Sequence, residues 1–239
     1  MKLSISRVQR GLVSVSIALL GGILHPSSQA AQSPATLRAL YGLHPPLSLT
    51  VTKTALVLVD FQLEFVSGRL RLPTGATAIA RARSLVDWAH RSGMLVVLVQ
   101  QVSNKPGSRL FGTGAAHTAF IPELEPVRGD LVIQKAFGGG FSHTQLDSEL
   151  RARRIDTVII GGLMTHLAVL MTAIDAMTLG YKTIVAGDAT ATRALPGVPG
   201  ELGVDAALLK RAVLDAIADR VADVMLSRDI TALPLDHAS

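Results

Sequence analysis

The chain has 239 residues, 49% of them apolar and 17% charged, the balance of a compact globular protein with core enough for one α/β domain or at most two small ones. Its net charge of +5 falls to +2 once Lys2, Arg7 and Arg10, the only charges among the first thirty residues, are set aside. That excludes a nucleic-acid-binding footprint. There is no cysteine, so disulfides, thiolate metal sites, lipoprotein attachment and thiol chemistry are excluded as well.

Residues 1–10 are a positive start, 11–24 a short apolar run, His25-Pro26 a break, and Ser28 and Ala30 small residues at cleavage spacing. This is the pattern of a secretory signal peptide over residues 1–30. The apolar run falls short of the roughly 20 residues that a spanning helix needs. A periplasmic or secreted protein is expected, with no membrane association after cleavage. Residues 31–53 read as a loose, Pro-containing lead-in, 54–230 as the working domain and 231–239 as a tail.

Within the domain, strand and helix patterns alternate. The run LVLVDF (Leu56–Phe61) predicts a first strand buried on both faces. A helix follows over Ala76–Arg91, with Ile79, Ala82, Val86 and Ala89 on one face and Gly93 as its stop. Met94–Gln101 is the second strand. The Gly- and Pro-rich stretch 102–129 is a long loop, expected to act as a lid or pocket wall. Leu131–Phe137 is the third strand, and Ser142 with Gln145 reads as a capping box opening a helix that runs to Arg154.

The stretch Ile155–Ala176, IDTVIIGGLMTHLAVLMTAIDA, reads as a buried strand (Thr157–Gly161) and a tight turn at Gly161-Gly162. A helix opens near Thr165 and runs from His166 to Leu179. That helix is apolar nearly all round, which suits burial against a sheet and a second subunit. Lys182–Asp188 is a fifth strand, Asp205–Arg220 an amphipathic helix and Ala222–Ser227 a last strand. The sum is an α/β fold: three layers, doubly wound, around a mostly parallel six-stranded sheet.

In such a sheet, ligands sit beyond the carboxyl ends of the strands. Three candidates lie there: Asp60, Lys135 and the turn from Gly162 to Ala168. Singly, each has an ordinary explanation. A strand-end Asp is often a cap, a lone Lys is usually solvated, and glycine turns occur throughout α/β proteins.

Taken together, ALVLVDFQLEF, VIQKAFGGGFSHTQLDSEL, IIGGLMTHLAVLMTAIDA and VAGDATATR resemble, in order, the motifs of the isochorismatase-like (cysteine hydrolase) superfamily. The resemblance runs from about Thr54 to Ile230. It implies that Asp60 is the general acid/base and Lys135 its cationic partner. It implies too that backbone N–H groups of Met164 and Ala168 form an oxyanion hole, with a cis peptide at Leu163-Met164. Ala168 stands where the family carries its nucleophilic cysteine. Gln62, Phe65, Phe137, Leu163 and His166 are placed in the substrate pocket by proximity. Gly139-Gly140, where the family has Ser-Ala, is expected to widen that pocket. His143 and Arg193 are read as structural or exposed.

The expected substrate is a small amide, carbamoyl, ester or enol-ether compound, with no cofactor, and relatives of this kind imply a homo-oligomer (dimer or tetramer). Nicotinamidases of the superfamily carry an Asp-x-His metal cluster beyond the second strand. Here residues 102–120 offer only His117, so no catalytic metal is expected. Three readings stand for Ala168: a hydrolase that works without a cysteine, a cysteine enzyme with alanine substituted for its nucleophile, or a non-catalytic periplasmic small-molecule-binding relative.

Overall fold

Continuous runs of Val, Ile and Leu can be buried on both faces only in the middle of a layered sheet, and that is where these runs sit. The structure, a computed structural model, describes residues 34–237; the expected signal peptide lies outside the described residues. The sheet is built from β2 (Thr54–Val59), β3 (Leu95–Gln101), β4 (Leu131–Lys135), β5 (Thr157–Leu163), β6 (Lys182–Ala191) and β7 (Asp223–Met225), with β1 (Leu49–Thr50) lying outside it. Its order is β4-β3-β2-β5-β6-β7 and every neighbouring pair is parallel.

Alternation along each strand divides the core in two. Leu56, Leu58, Val96, Leu98, Ile159 and Ile184 face a cluster shared with Ala82, Leu85, Trp88 and Ala89 of α2 (Gly75–Ser92). Val57, Val59, Val97, Val99, Val158, Ile160 and Val185 face the opposite cluster. There they meet Leu146 and Leu150 of α3 (Leu146–Ala152) and Ala173 and Ala176 of α4 (Leu170–Thr178). Helices therefore cover both faces, as the doubly wound reading requires. At the C-terminus of α2, Gly93 adopts φ +75 and stops the helix as expected.

The boundaries differ in instructive places. The Gly161-Gly162 pair is not a turn: β5 runs through it to Leu163. A Cβ on Gly162 would lie 2.7 Å from Val59 O and 3.0 Å from Val169 Cγ2, so the glycines answer close packing between β2 and the following helix. β4 ends at Lys135 and not Phe137, and β6 continues beyond Asp188 to Ala191. The last strand is only Asp223–Met225. The amphipathic helix is α5 (Ala206–Ala216), extended by a π turn over Ile217–Val221.

The Ser142/Gln145 capping box does not form. Ser142 Oγ instead donates to Asp175 Oδ2 at 3.1 Å, and Thr144 Oγ1 accepts from Leu146 N at 3.2 Å. Nor is the lead-in loose. It holds α1 (Leu37–Leu40) and β1, and β1 pairs in parallel with β8 (Leu235–Asp236) after α6 (Ser227–Thr231).

The strand order sets the site. From β2 the chain winds outward through β3 and β4, then returns to the other side of β2 with β5 and winds on through β6 and β7. The reversal lies between the carboxyl ends of β2 and β5. This is the topological switch point, where an open α/β sheet leaves a crevice.

Candidate active site

Asp60 follows β2 directly and has φ +58, in the left-handed region where Asp is among the better-tolerated non-glycine residues. Its N–H still bonds Val99 O at 2.9 Å, and its own carbonyl accepts from Gln62 N at 2.8 Å. The chain can thus leave the sheet sharply while the carboxylate stays inside, 2% exposed. Lys135, at the end of β4, reaches across β3 to it: Nζ lies 2.8 Å from Asp60 Oδ2 and donates to Gln101 Oε1 at 3.0 Å. Asp60 Oδ1 is buried and has no hydrogen-bond partner among the described residues. Burial pushes the Asp60 carboxyl up to about 6, against the opposing pull of Lys135.

Beyond β5 the peptide Leu163-Met164 is cis. The next residues, Thr165–Val169, form a π turn that leads into α4. The N–H groups of Leu167 and Val169 are both spent on the Met164 carbonyl, at 3.2 and 3.3 Å. Ala168 lies between them, and its carbonyl accepts from Thr172 Oγ1 at 2.6 Å. Thr172 Oγ1 also accepts from Gly140 N at 2.8 Å, which ties the loop after β4 to the turn that carries Ala168. The Thr165 hydroxyl is buried and unpartnered.

These parts enclose a cavity of about 410 Å³, within the range of small-molecule sites. Asp60, Met164 and Ala168 line it, with Phe65, Phe137 and Leu163. The long loop supplies Ser103, Ser108, Leu110 and Phe111, so it does serve as a pocket wall. Phe111 packs on Phe65 with ring centroids 5.5 Å apart. Phe137 is 69% exposed and stands at the mouth. A larger depression of about 620 Å³ lies at the amino-terminal ends of the strands, against the lead-in. It holds none of this chemistry.

Three expectations are corrected. Gln62 does not wall the cavity. Its side chain is fully buried, donates to Gln101 O (2.8 Å) and Thr118 O (2.7 Å) and accepts from Gln101 N (2.9 Å). It clamps the long loop to the sheet. His166 does not line the cavity either: its Nδ1 meets Thr192 Oγ1, and burial followed by the nearby Arg193 lowers its pKa.

Gly139-Gly140 does not widen the pocket. A Cβ on Gly139 would lie 2.8 Å from Asp175 Oδ2 and 2.9 Å from Thr172 N, so its bareness serves contact with α4; it is Gly138 that borders the cavity.

Arg193, expected to be structural or exposed, is a fourth correction. Two residues beyond β6, it lines the cavity; one terminal N–H donates to Ala194 O at 3.0 Å, and its Nε is buried without a partner among the described residues. Its place just past a strand end was the available signal. The cavity therefore combines a carboxylate already paired with Lys135 and a second cation, Arg193, that has no carboxylate within ion-pair distance among the described residues. Among the described residues, no group of three or more His, Cys, Asp or Glu side chains is placed to hold a metal ion, and His117 is exposed on the loop.

The isochorismatase domain family matches residues 54–229. The chain is 30% identical over 196 residues to a secreted isochorismatase effector, Isc1, of Verticillium dahliae, covering 82% of this chain and 98% of that protein. It is 32% identical over 179 residues to the ureidoacrylate amidohydrolase RutB of Stutzerimonas stutzeri, covering 61% of this chain and 72% of the relative. It is also similar to the crystal structure of an isochorismatase from Pseudomonas putida KT2440. The TM-score is 0.76 at 30% identity, over 83% of this chain and all of that one. The parallel sheet, the switch-point cavity and these likenesses agree: the chain belongs to the isochorismatase family of hydrolases.

Proposed function

We propose that this chain is an exported hydrolase of a small amide, carbamoyl, ester or enol-ether compound, with Asp60 as general acid/base. The carrying observation is the Asp60 carboxyl itself. One of its oxygens is fixed by Lys135, and the other is buried and unpartnered in a residue that borders the switch-point cavity. Its pKa of about 6 lets it accept and return a proton near neutrality. Lys135 holds that carboxylate in place and stabilises its charge. Backbone N–H groups at Met164 and Ala168 polarise the carbonyl. Arg193 favours a substrate that also carries an anionic group.

Similarity to a secreted relative supports export, beside the pattern of residues 1–30. Ile174, apolar and exposed on α4, supports the homo-oligomer. No helix among the described residues is long and apolar enough to cross a membrane.

The test is hydrolysis of a panel of small amides, ureas, esters and enol ethers by the chain and by Ala168→Cys. Turnover by the chain itself supports a cysteine-independent hydrolase. Turnover by Ala168→Cys alone identifies a cysteine hydrolase whose nucleophile has been replaced. The second reading, a non-catalytic small-molecule-binding relative, draws on the methyl group of Ala168. It gains if both forms bind panel members without consuming them.

A further inference from the structure

The two carboxylate oxygens of Asp60 are not equivalent. Oδ2 is committed to Lys135 at 2.8 Å, while Oδ1 is buried with no partner among the described residues. An orphaned buried acceptor costs about 1–3 kcal/mol and calls for a use. Asp60 and Ala168 line the same cavity, and the Ala168 side chain, a methyl, brings neither acceptor nor nucleophile to it. Phe65, Phe111 and Leu163 add apolar wall. Of the polar lining groups, Gln101 Oε1 already accepts from Lys135, Ser108 Oγ donates to Leu110 O and Ser103 Oγ accepts from Lys105 N, which leaves Asp60 Oδ1 the charged acceptor placed to hold a small polar reactant there.

We propose that the nucleophile in this chain is water, held on Asp60 Oδ1 beside the Ala168 methyl, that hydrolysis is a single displacement without an acyl-enzyme, and that the substrates are small esters. This rests on the hydrolase reading above and adds to it the nucleophile and the substrate class. Water gives one proton to Asp60 Oδ1 as its oxygen bonds to the ester carbonyl carbon, and the carbonyl π pair moves onto oxygen. The tetrahedral oxyanion then reforms C=O and the C–O bond to the leaving group breaks. Asp60 returns its proton to the departing alkoxide. Acid and alcohol result, and Lys135 stays protonated throughout. Esters are favoured because an alkoxide or phenoxide leaves such an intermediate far more readily than an amine that must first be protonated. The rise of the Asp60 carboxyl to about 6 suits a general base at neutral pH.

The test compares p-nitrophenyl acetate with p-nitroacetanilide, a matched ester and amide, and uses quenched-reaction mass spectrometry for acetylated protein. The chain should hydrolyse the ester at least about 10²-fold faster than the anilide, with no acetyl adduct formed at a competent rate. Asp60→Asn should lose about 10²-fold. Ala168→Val fills the space beside the methyl while leaving the Asp60–Lys135 pair in place. It should lose about tenfold or more at an unchanged fold, read by circular dichroism. Ala168→Cys should gain a kinetically competent acetyl adduct on residue 168 and a larger share of anilide hydrolysis. An acyl adduct on the Ala168 chain, or indifference to both Asp60→Asn and Ala168→Val, overturns the inference. Turnover confined to Ala168→Cys overturns it and leaves the hydrolase reading standing. Silence of both forms on the whole panel overturns both.

Discussion

Replacing Lys135 with methionine tests whether the Asp60–Lys135 pair behaves as a buried charge pair. Both side chains are essentially inaccessible and lie 2.8 Å apart. The Asp60 carboxyl is raised from 3.8 to about 6 because burial outweighs the pull of Lys135. At about 1.4 kcal/mol per pH unit, that rise corresponds to roughly 3 kcal/mol. The folded state binds the Asp60 proton more tightly than the unfolded chain does. The stabilisation is therefore full below pH 3.8 and is lost as pH rises to about 6.

Lys135→Met removes the main group that offsets burial, the Gln101 backbone being the lesser one, so the carboxyl must rise further. At pH 8 the variant either buries an unpaired charge or protonates Asp60 against the solution, a loss of about 3–5 kcal/mol. At pH 5 the carboxyl is mostly neutral in both proteins. Only ordinary hydrogen bonds are then lost, about 1 kcal/mol. Urea unfolding at the two pH values, followed by circular dichroism, measures the difference. The double change Asp60→Asn with Lys135→Met should recover most of the loss at pH 8, since a buried pair replaced by neutral groups is often no less stable. Equal losses at pH 5 and pH 8, or a double variant no better than Lys135→Met, would refute the reasoning.

Other outcomes follow from particular contacts. Gln62→Ala strips three hydrogen bonds from a buried position and should cost at least about 2 kcal/mol in urea unfolding, with little change in KM, since Gln62 does not reach the cavity. Gly162→Ala places a methyl 2.7 Å from Val59 O. It should lower stability by about 1–3 kcal/mol and also reduce activity, because the strain falls between β2 and β5 at the switch point. Arg193→Gln should raise KM about tenfold for substrates bearing a carboxylate and leave neutral ones unchanged, if the guanidinium, whose Nε is buried without a partner among the described residues, faces the substrate. Ile174→Lys should shift the molar mass by light scattering towards the monomer if the exposed apolar side of α4 is an oligomer contact.

Much of this molecule is legible in its sequence because burial on two faces leaves a simple mark. The runs around Leu56, Val97, Ile159 and Ile184 can only be inner strands, and their alternation with amphipathic stretches dictates the layers. Asp60 and Lys135 were visible because a charge at the end of such a run breaks the pattern. What could not be read depends on contacts distant in sequence. Gly162 and Gly139 look like turn and loop residues until the strand and helix packed against them are known. Gln62 is adjacent to Asp60 in the chain, yet its partners are Gln101 and Thr118. Arg193 gains its meaning only because β6 ends beside β5, which brings residue 193 to the cavity. His166 lost its expected place because a π turn rotates that stretch relative to an ordinary helix.

The most direct measurement of the account is the pH dependence of kcat/KM for ester hydrolysis, taken from pH 4.5 to 8.5 for the chain and for Asp60→Asn. The account predicts activity that falls as pH drops through about 6, the value at which Asp60 takes up its proton, and a loss of about 10²-fold or more with no such limb in the variant. Equal rates for the two proteins, or a profile indifferent to pH across that range, would contradict it.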